Sequence, residues 1–255
     1  MTDDVSRGTT GVPVPTPLPP VPGTVRGVVP SEHLPGLVAY AERLATDGVV
    51  RGLIGPREVP RLWERHLLNC AWLCDLLPEG ARVCDIGSGA GLPGLVVAIV
   101  RPDLRVTLVE PLLRRTTFLE EVKEQLGLDH VEVVRGRAEA LHGERRFDVV
   151  TSRAVAPLPR LLDWSMPLVD AGGALVALKG SSVREEIDSA SRELTRHGCG
   201  VPEVVRLGGE DVEVPTFALR VSRRDPGALP LPGGASGSRR KGGSPKAKRQ
   251  GRREG

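Results

Sequence analysis

Aromatic side chains are scarce in this 255-residue chain: three Trp, three Phe and one Tyr. Most fall at core-like positions, which excludes a base-stacking platform of the kind single-strand-binding proteins use. Cysteine is nearly as sparse. Cys70, Cys74, Cys84 and Cys199 form no Cys-x-x-Cys pair, which argues against a metal site and for reduced thiols in a cytoplasmic protein. No stretch approaches the roughly 18 apolar residues of a membrane span, and the first residues lack a charged-then-apolar signal pattern. No helix carries a sustained heptad, so a monomer is expected.

Charge of one sign is missing from most of the chain and concentrated at one end. The net charge is +3, yet residues 223–255 hold ten Lys or Arg against two acids. The other 222 residues therefore carry 25 basic and 30 acidic side chains. The basicity is densest at Arg239, Arg240 and Lys241 and at Lys246, Lys248 and Arg249. Such a Gly/Ser/Pro-spaced tail is expected to be disordered and to contact RNA phosphates without reading sequence; a solubilising extension is the plainer alternative.

Residues 1–30 are rich in Pro, Gly, Val and Thr without periodicity and are expected to be disordered. Ser31 reads as the cap of a helix carrying Leu34, Leu37, Val38, Ala41 and Leu44, with Gly48 beyond its end. A second helix is expected over Glu58–Leu77. From Arg82 onward the pattern alternates. Strand-like runs (82–86, 106–110, 131–135, 147–152 and 174–179) are separated by helical runs (95–100, 114–126 and 159–169). A helix over 183–197 and closing strands over 201–207 and 216–222 follow. Alternation at this spacing implies crossover units on a parallel sheet, with an antiparallel pair at the end. The expected architecture is a Rossmann-like α/β domain over 31–222. It comprises a helical part (31–80) and a core with a mostly parallel seven-stranded sheet (81–222), flanked by the head and the basic tail.

One segment carries most of the chemistry. Cys84-Asp85-Ile86-Gly87-Ser88-Gly89-Ala90-Gly91-Leu92-Pro93-Gly94 places an acid and a glycine-dense turn between an apolar strand and an apolar helix. The glycines permit backbone angles forbidden to other residues and close approach of a ligand. Gly89 to Gly94 also fits the dinucleotide pattern Gly-x-Gly-x-x-Gly, which alone is weak evidence. Asp85 discriminates: a dinucleotide pyrophosphate is anionic, whereas S-adenosylmethionine presents a sulfonium and an ammonium beside which an acid is welcome. A class I S-adenosylmethionine-dependent methyltransferase is therefore expected, with Asp85, Gly87, Ser88, Gly89, Gly91 and Leu92 at the cofactor; a dinucleotide-dependent oxidoreductase is the rival. Glu110, ending the second strand, suits ribose hydroxyls, its alternative being an exposed strand-end acid. Arg137-Ala138-Glu139 follows the third strand, where adenine would lie, unless it is a plain helix start.

The fourth strand ends in Thr151-Ser152-Arg153-Ala154 and lacks the Asn/Asp-Pro-Pro-aromatic box of amino-group methyltransferases. Nor does any Pro-Cys occur, the usual setting of the nucleophile for cytosine C5. A target atom needing no activation fits this lack, and guanine N7, with a free lone pair, is one. Catalysis would then rest on in-line positioning without an obligatory general base.

These segments, with Glu64-Arg65-His66-Leu67-Leu68-Asn69, Val109-Glu110-Pro111, Ser152-Arg153-Ala154-Val155-Ala156 and Leu178-Lys179-Gly180 in that order, resemble the small-subunit rRNA guanine-N7 methyltransferase family, also called RsmG or glucose-inhibited division protein B. The resemblance covers about residues 60–220. It implies methylation of N7 of a guanosine in 16S rRNA near the decoding site, with the small ribosomal subunit or an assembly intermediate as partner. It places the donor against Gly87, Leu92, Ala138, Glu139 and Arg153. It also makes Arg137 and Lys179 rim candidates for RNA, with Arg65 and His66 nearby on the upstream helix. Arg153 and Lys179 are the catalytic candidates; a solvated lysine and a helix-surface pair are the bland readings of Lys179 and of Arg65-His66. The sequence departs from the family pattern at 50–55, at Asn69-Cys70 and at Val214-Pro215-Thr216. Another methyl acceptor remains the alternative.

Overall fold

The computed structural model describes residues 17–208 and 215–223. Seven strands form one sheet in the order β3-β2-β1-β4-β5-β7-β6. They are β1 (Arg82–Ile86), β2 (Arg105–Glu110), β3 (Val131–Arg135), β4 (Phe147–Arg153), β5 (Val169–Lys179), β6 (Glu203–Leu207) and β7 (Thr216–Ser222). Strands β1 to β5 run parallel, while β7 pairs antiparallel with both β5 and β6. The strand order reverses between β1 and β4, and ligands of open α/β sheets settle at that point, outside the carboxyl ends of the strands.

Alternation along the strands sorts the core into two layers. Val83, Val106, Leu108, Val149 and Val176 face one layer, and Cys84, Ile86, Val109, Val150 and Leu175 face the other. The first layer is covered by α2 (Leu34–Arg43), a helical run over residues 56–76 (α3), α4 (Gly94–Val100) and α5 (Leu113–Leu126). Every residue of α4 is buried, as an all-apolar helix requires. The second layer is covered by α6 (Leu158–Ser165), with α7 (Val183–Ser189) and α8 (Ser191–Arg196) beside it.

Several elements differ from expectation. Residues 17–30 are packed rather than disordered: a short helix, α1 (Gly23–Val28), buries Val25, and Trp63 Nε1 donates to Pro19 O at 2.8 Å. Apolar Val and Pro side chains found a hydrophobic wall on α3, which composition alone does not reveal. Ser31 caps nothing; His33 holds the cap position of α2, and Ser31 Oγ bonds Glu32. The single helix expected over 183–197 is broken at Ala190. Ser189 and Ser191 hydroxyls donate to the carbonyls of Glu186 and Asp188, a competition with the backbone that such residues favour. Residues Arg239, Arg240, Lys241, Lys246, Lys248 and Arg249 lie outside the described residues.

Candidate active site

Two cavities meet at the carboxyl ends of β1 and β4. The first, about 420 Å³, is walled by Gly87, Ser88, Gly89, Leu92, His66 and Arg153. The second, about 440 Å³, is walled by Val109, Arg137, Ala138, Glu139, Arg160 and Trp164. They share Gly87 and Val155. Gly87 has φ +67°, and a Cβ there would lie 2.9 Å from Val155 Cγ2. Only glycine tolerates both that backbone and that neighbour. Val155 is brought over the loop by Ala154, whose φ of 53° is the one positive value at a non-glycine among the described residues, a strained conformation of the kind that gathers at functional sites.

The loop owes its shape to buried acids. Asp85 is wholly buried, and its Oδ2 accepts the Gly94 N–H at 3.0 Å. A Cβ on Gly94 would lie 2.7 Å from that oxygen. Burial pushes the Asp85 carboxyl up to about 7, against the Gly94 hydrogen bond that favours its anion. Asp85, expected to lie against the cofactor, therefore acts on the loop: a side chain with no exposed surface holds the start of α4 where the turn ends. Ser88, also buried, donates its hydroxyl to Asp85 O at 2.8 Å. Gly91 packs against Leu95 and the Tyr40 hydroxyl rather than lining the cavity. Tyr40 itself, from α2, donates to Ala90 O at 2.8 Å.

Glu110 is not an exposed strand-end acid; it is 1 % exposed. Its Oε2 accepts the Gly89 N–H and its Oε1 the Leu112 N–H, both at 3.0 Å, while Arg115 Nη1 approaches Oε2 at 3.3 Å. It thus staples the glycine loop to the end of β2; the Gly89 and Arg115 bonds use both lone pairs of Oε2, and Oε1 keeps one for a ligand.

Arg153 ends β4 and is held from the side. Its Nη1 lies 2.7 Å from His66 Nδ1, and His66 Nε2 lies 2.9 Å from Glu58 Oε2. A guanidinium can only donate, so Nδ1 must accept, and the ring proton sits on Nε2 and is donated to Glu58. Burial and the Arg153 cation hold the His66 imidazole below its ordinary value, so it is neutral near pH 7. His66 is therefore neither an exposed helix-surface residue nor a phosphate-binding cation. It is a positioning residue for Arg153. Nothing in local spacing announces this link, because His66 and Arg153 meet only through the packing of α3 on β4.

A third cavity, about 660 Å³, opens on the far side of Arg153 and is walled by Arg65, Asn69, Ala156, Lys179, Glu186 and Thr216. Arg153, Ala154 and Val155 are common to it and the first cavity. Lys179 is not a solvated strand-end lysine. Its side chain is 9 % exposed and its Nζ lies 2.7 Å from Glu186 Oε2. Arg137, expected at the rim for RNA, instead lines the second cavity beside Ala138 and Glu139. Sequence reasoning missed Val155, Arg115 and Trp164 as wall residues and Tyr40 as a loop buttress; Val155 stands within the Ser152–Ala156 motif, whereas Trp164 and Tyr40 fall in none. Residues 53–55, where the sequence departs from the family pattern, line the first cavity. Among the described residues no group of His, Cys, Asp and Glu could hold a metal ion, and no helix is long and apolar enough to cross a membrane.

The paired cavities suit a ligand with a charged end and a flat end. Arg153 stands at the first, and Val109, Ala138 and Trp164 at the second. S-adenosylmethionine has that form. The model of the family described as rRNA small subunit methyltransferase G matches residues 33–214. A Nocardioides protein named Ribosomal RNA small subunit methyltransferase G is 63% identical over 232 residues, covering 91% of this chain and 89% of its own. A Thermobifida fusca protein of the same name is 58% identical, covering 75% and 81%. Among solved structures, M. jannaschii TYW2 in complex with AdoMet matches with TM-score 0.51 at 15% identity, covering 63% of this chain and 77% of that one. That likeness shows the fold.

Proposed function

The chain belongs to the rRNA small subunit methyltransferase G family, and from that premise we propose that it methylates N7 of a guanosine in 16S rRNA. It is an S-adenosylmethionine-dependent methyltransferase. When bound, S-adenosylmethionine supplies an electrophilic methyl on a sulfonium, and S-adenosylhomocysteine remains after transfer. The residues supply position. In this reading Arg153 takes the donor's carboxylate, an interaction suited to a guanidinium fork. Gly87, Ser88, Gly89 and Leu92 line the amino-acid end, and the remaining lone pair of Glu110 Oε1 accepts from a ribose hydroxyl. Ala138 and Glu139 border the adenine.

The observation that carries the proposal is the junction at Arg153, Ala154 and Val155, where the donor cavity and a separate, larger cavity share a wall. N7 of guanine has no proton to lose, so a cleft that aligns nucleophile, methyl and sulfur is sufficient. Arg65 stands at the rim of the larger cavity, where an RNA phosphate would approach. The basic tail strengthens binding through phosphates without choosing the base. The reaction takes place in the cytoplasm, on small ribosomal subunits or their assembly intermediates. The test is methyl transfer to subunits from a strain lacking this protein, with the product digested to nucleosides. Label in 7-methylguanosine supports the reading, and label in any other nucleoside overturns it.

A further inference from the structure

The donor leaves the third cavity unused, and among the described residues the only acid on its wall is joined to the only lysine there. Lys179 follows Leu178, which pairs with Arg153 across β5 and β4. The lysine therefore stands one residue beyond the junction of the two cavities. Its Nζ reaches Glu186 Oε2 on α7, at 2.7 Å, and the Ala156 carbonyl, at 3.4 Å. Glu186 is a quarter exposed, and among the described residues its bond to Lys179 falls on Oε2 and not on Oε1. A positive donor and a negative acceptor thus stand side by side on the wall of a cavity roomy enough for a base.

We propose that this cavity receives the acceptor guanine and that Lys179 and Glu186 read its Watson–Crick edge, an assignment that rests on the methyl-transfer reading above. Guanine presents, in a row, the O6 acceptor, the N1–H donor and the N2 amino donor. Lys179 donates to O6, and Glu186 accepts from N1–H and the N2 amino group. Adenine reverses the first two positions, offering a 6-amino donor to an ammonium and a bare N1 to a carboxylate, so it is rejected by both. Engaging this edge leaves N7, on the other side of O6, clear of protein groups. The pair is more than a strap pinning α7 to β5: an ion pair serving only that purpose gains nothing from lining a cavity beside Arg153.

The experiment uses the full chain and small ribosomal subunits reconstituted with 16S rRNA that carries either guanosine or inosine at the methylated position. Inosine keeps O6, N1–H and N7 and lacks only the N2 amino group. Wild-type kcat/KM is expected to fall about tenfold or more on inosine, the discrimination a good carboxylate–base contact supplies. Glu186→Gln is expected to lose about 10- to 100-fold on guanosine and to treat the two substrates alike, with S-adenosylhomocysteine binding by calorimetry unchanged. Equal wild-type rates on guanosine and inosine would overturn the assignment without reference to any variant. So would a Glu186→Gln enzyme that keeps the wild-type ratio. If wild-type enzyme forms neither 7-methylguanosine on the guanosine substrate nor 7-methylinosine on the inosine one, the methyl-transfer reading falls and this assignment with it.

Discussion

The two ends of the sheet are both rich in charge, and they use it differently. At the amino end Arg82 bonds Asp148 and Asp170 at 2.8 and 2.9 Å, and Arg145 bonds Glu132, all with side chains open to solvent. At the carboxyl end Asp85 and Glu110 are buried: Asp85 Oδ2 accepts the main-chain N–H of Gly94, and the two Glu110 oxygens accept those of Gly89 and Leu112. Exposed pairs contribute little, because water screens them and long side chains lose freedom in forming them. Buried acceptors fix a backbone, because the N–H groups they satisfy have no other partner. The same residue types therefore decorate one end and shape a cleft at the other.

The comparison breaks most sharply at Asp85. Asp85→Ala strands the Gly94 N–H and opens a void, so it should cost about 1–3 kcal/mol or more in urea unfolding and abolish measurable S-adenosylhomocysteine binding. Asp85→Asn keeps an acceptor and should bind within a few-fold of wild type; loss of binding in Asn as in Ala would show that the carboxylate's charge, not its loop contact, serves the cofactor. The pH dependence carries a sign. The folded state holds the Asp85 proton up to about 7, far above the unfolded carboxylate. This group's contribution to stability is therefore full at acid pH and is lost as pH rises through 7. Asp85→Asn should remove that slope.

A smaller break is expected at Arg153. Arg153→Ala loses a charge-assisted hydrogen bond to the donor, about 10- to 100-fold in Kd, with the fold intact by circular dichroism. Smaller still are effects on its support. Acidification should protonate His66 below its ordinary value, turn its Nδ1 from acceptor to donor against Arg153, and lower kcat/KM. Burial, Arg153 and Arg65 disfavour this protonation, while the Glu58 carboxylate favours it. His66→Asn keeps an acceptor for Arg153 and should erase the acid limb of the profile while retaining activity at pH 8; an unchanged limb would remove His66 from the account. The smallest effect belongs to the amino end, where Arg82→Ala should cost about 1 kcal/mol or less and leave donor binding untouched.

Much of this was legible in the sequence, because local patterns encode local structure. The bounds of β1, β3 and β7 follow from apolar runs closed by turn residues, and the glycine loop after β1 follows from spacing alone. What was hidden depends on residues far apart in the chain. Asp85 announces a polar loop but not its own burial, which comes from α4 packing beneath β1 and β2. His66 reads as a surface pair with Arg65 until α3 is docked and Arg153 is found 2.7 Å away. Lys179 likewise looks solvated until α7 brings Glu186 over it. Residues 17–30, low in complexity, acquire a structure only because Trp63 and its neighbours offer a surface to cover.

The central claim is that the carboxyl-end cleft aligns a guanine N7 with the methyl of S-adenosylmethionine. The most direct measurement incubates enzyme and labelled S-adenosylmethionine with small subunits lacking the modification, then digests the rRNA and separates the nucleosides. The account predicts label in 7-methylguanosine alone, present with wild type and Asp85→Asn and absent with Asp85→Ala. Label in another nucleoside, or none in subunits or free 16S rRNA despite confirmed cofactor binding, would contradict it.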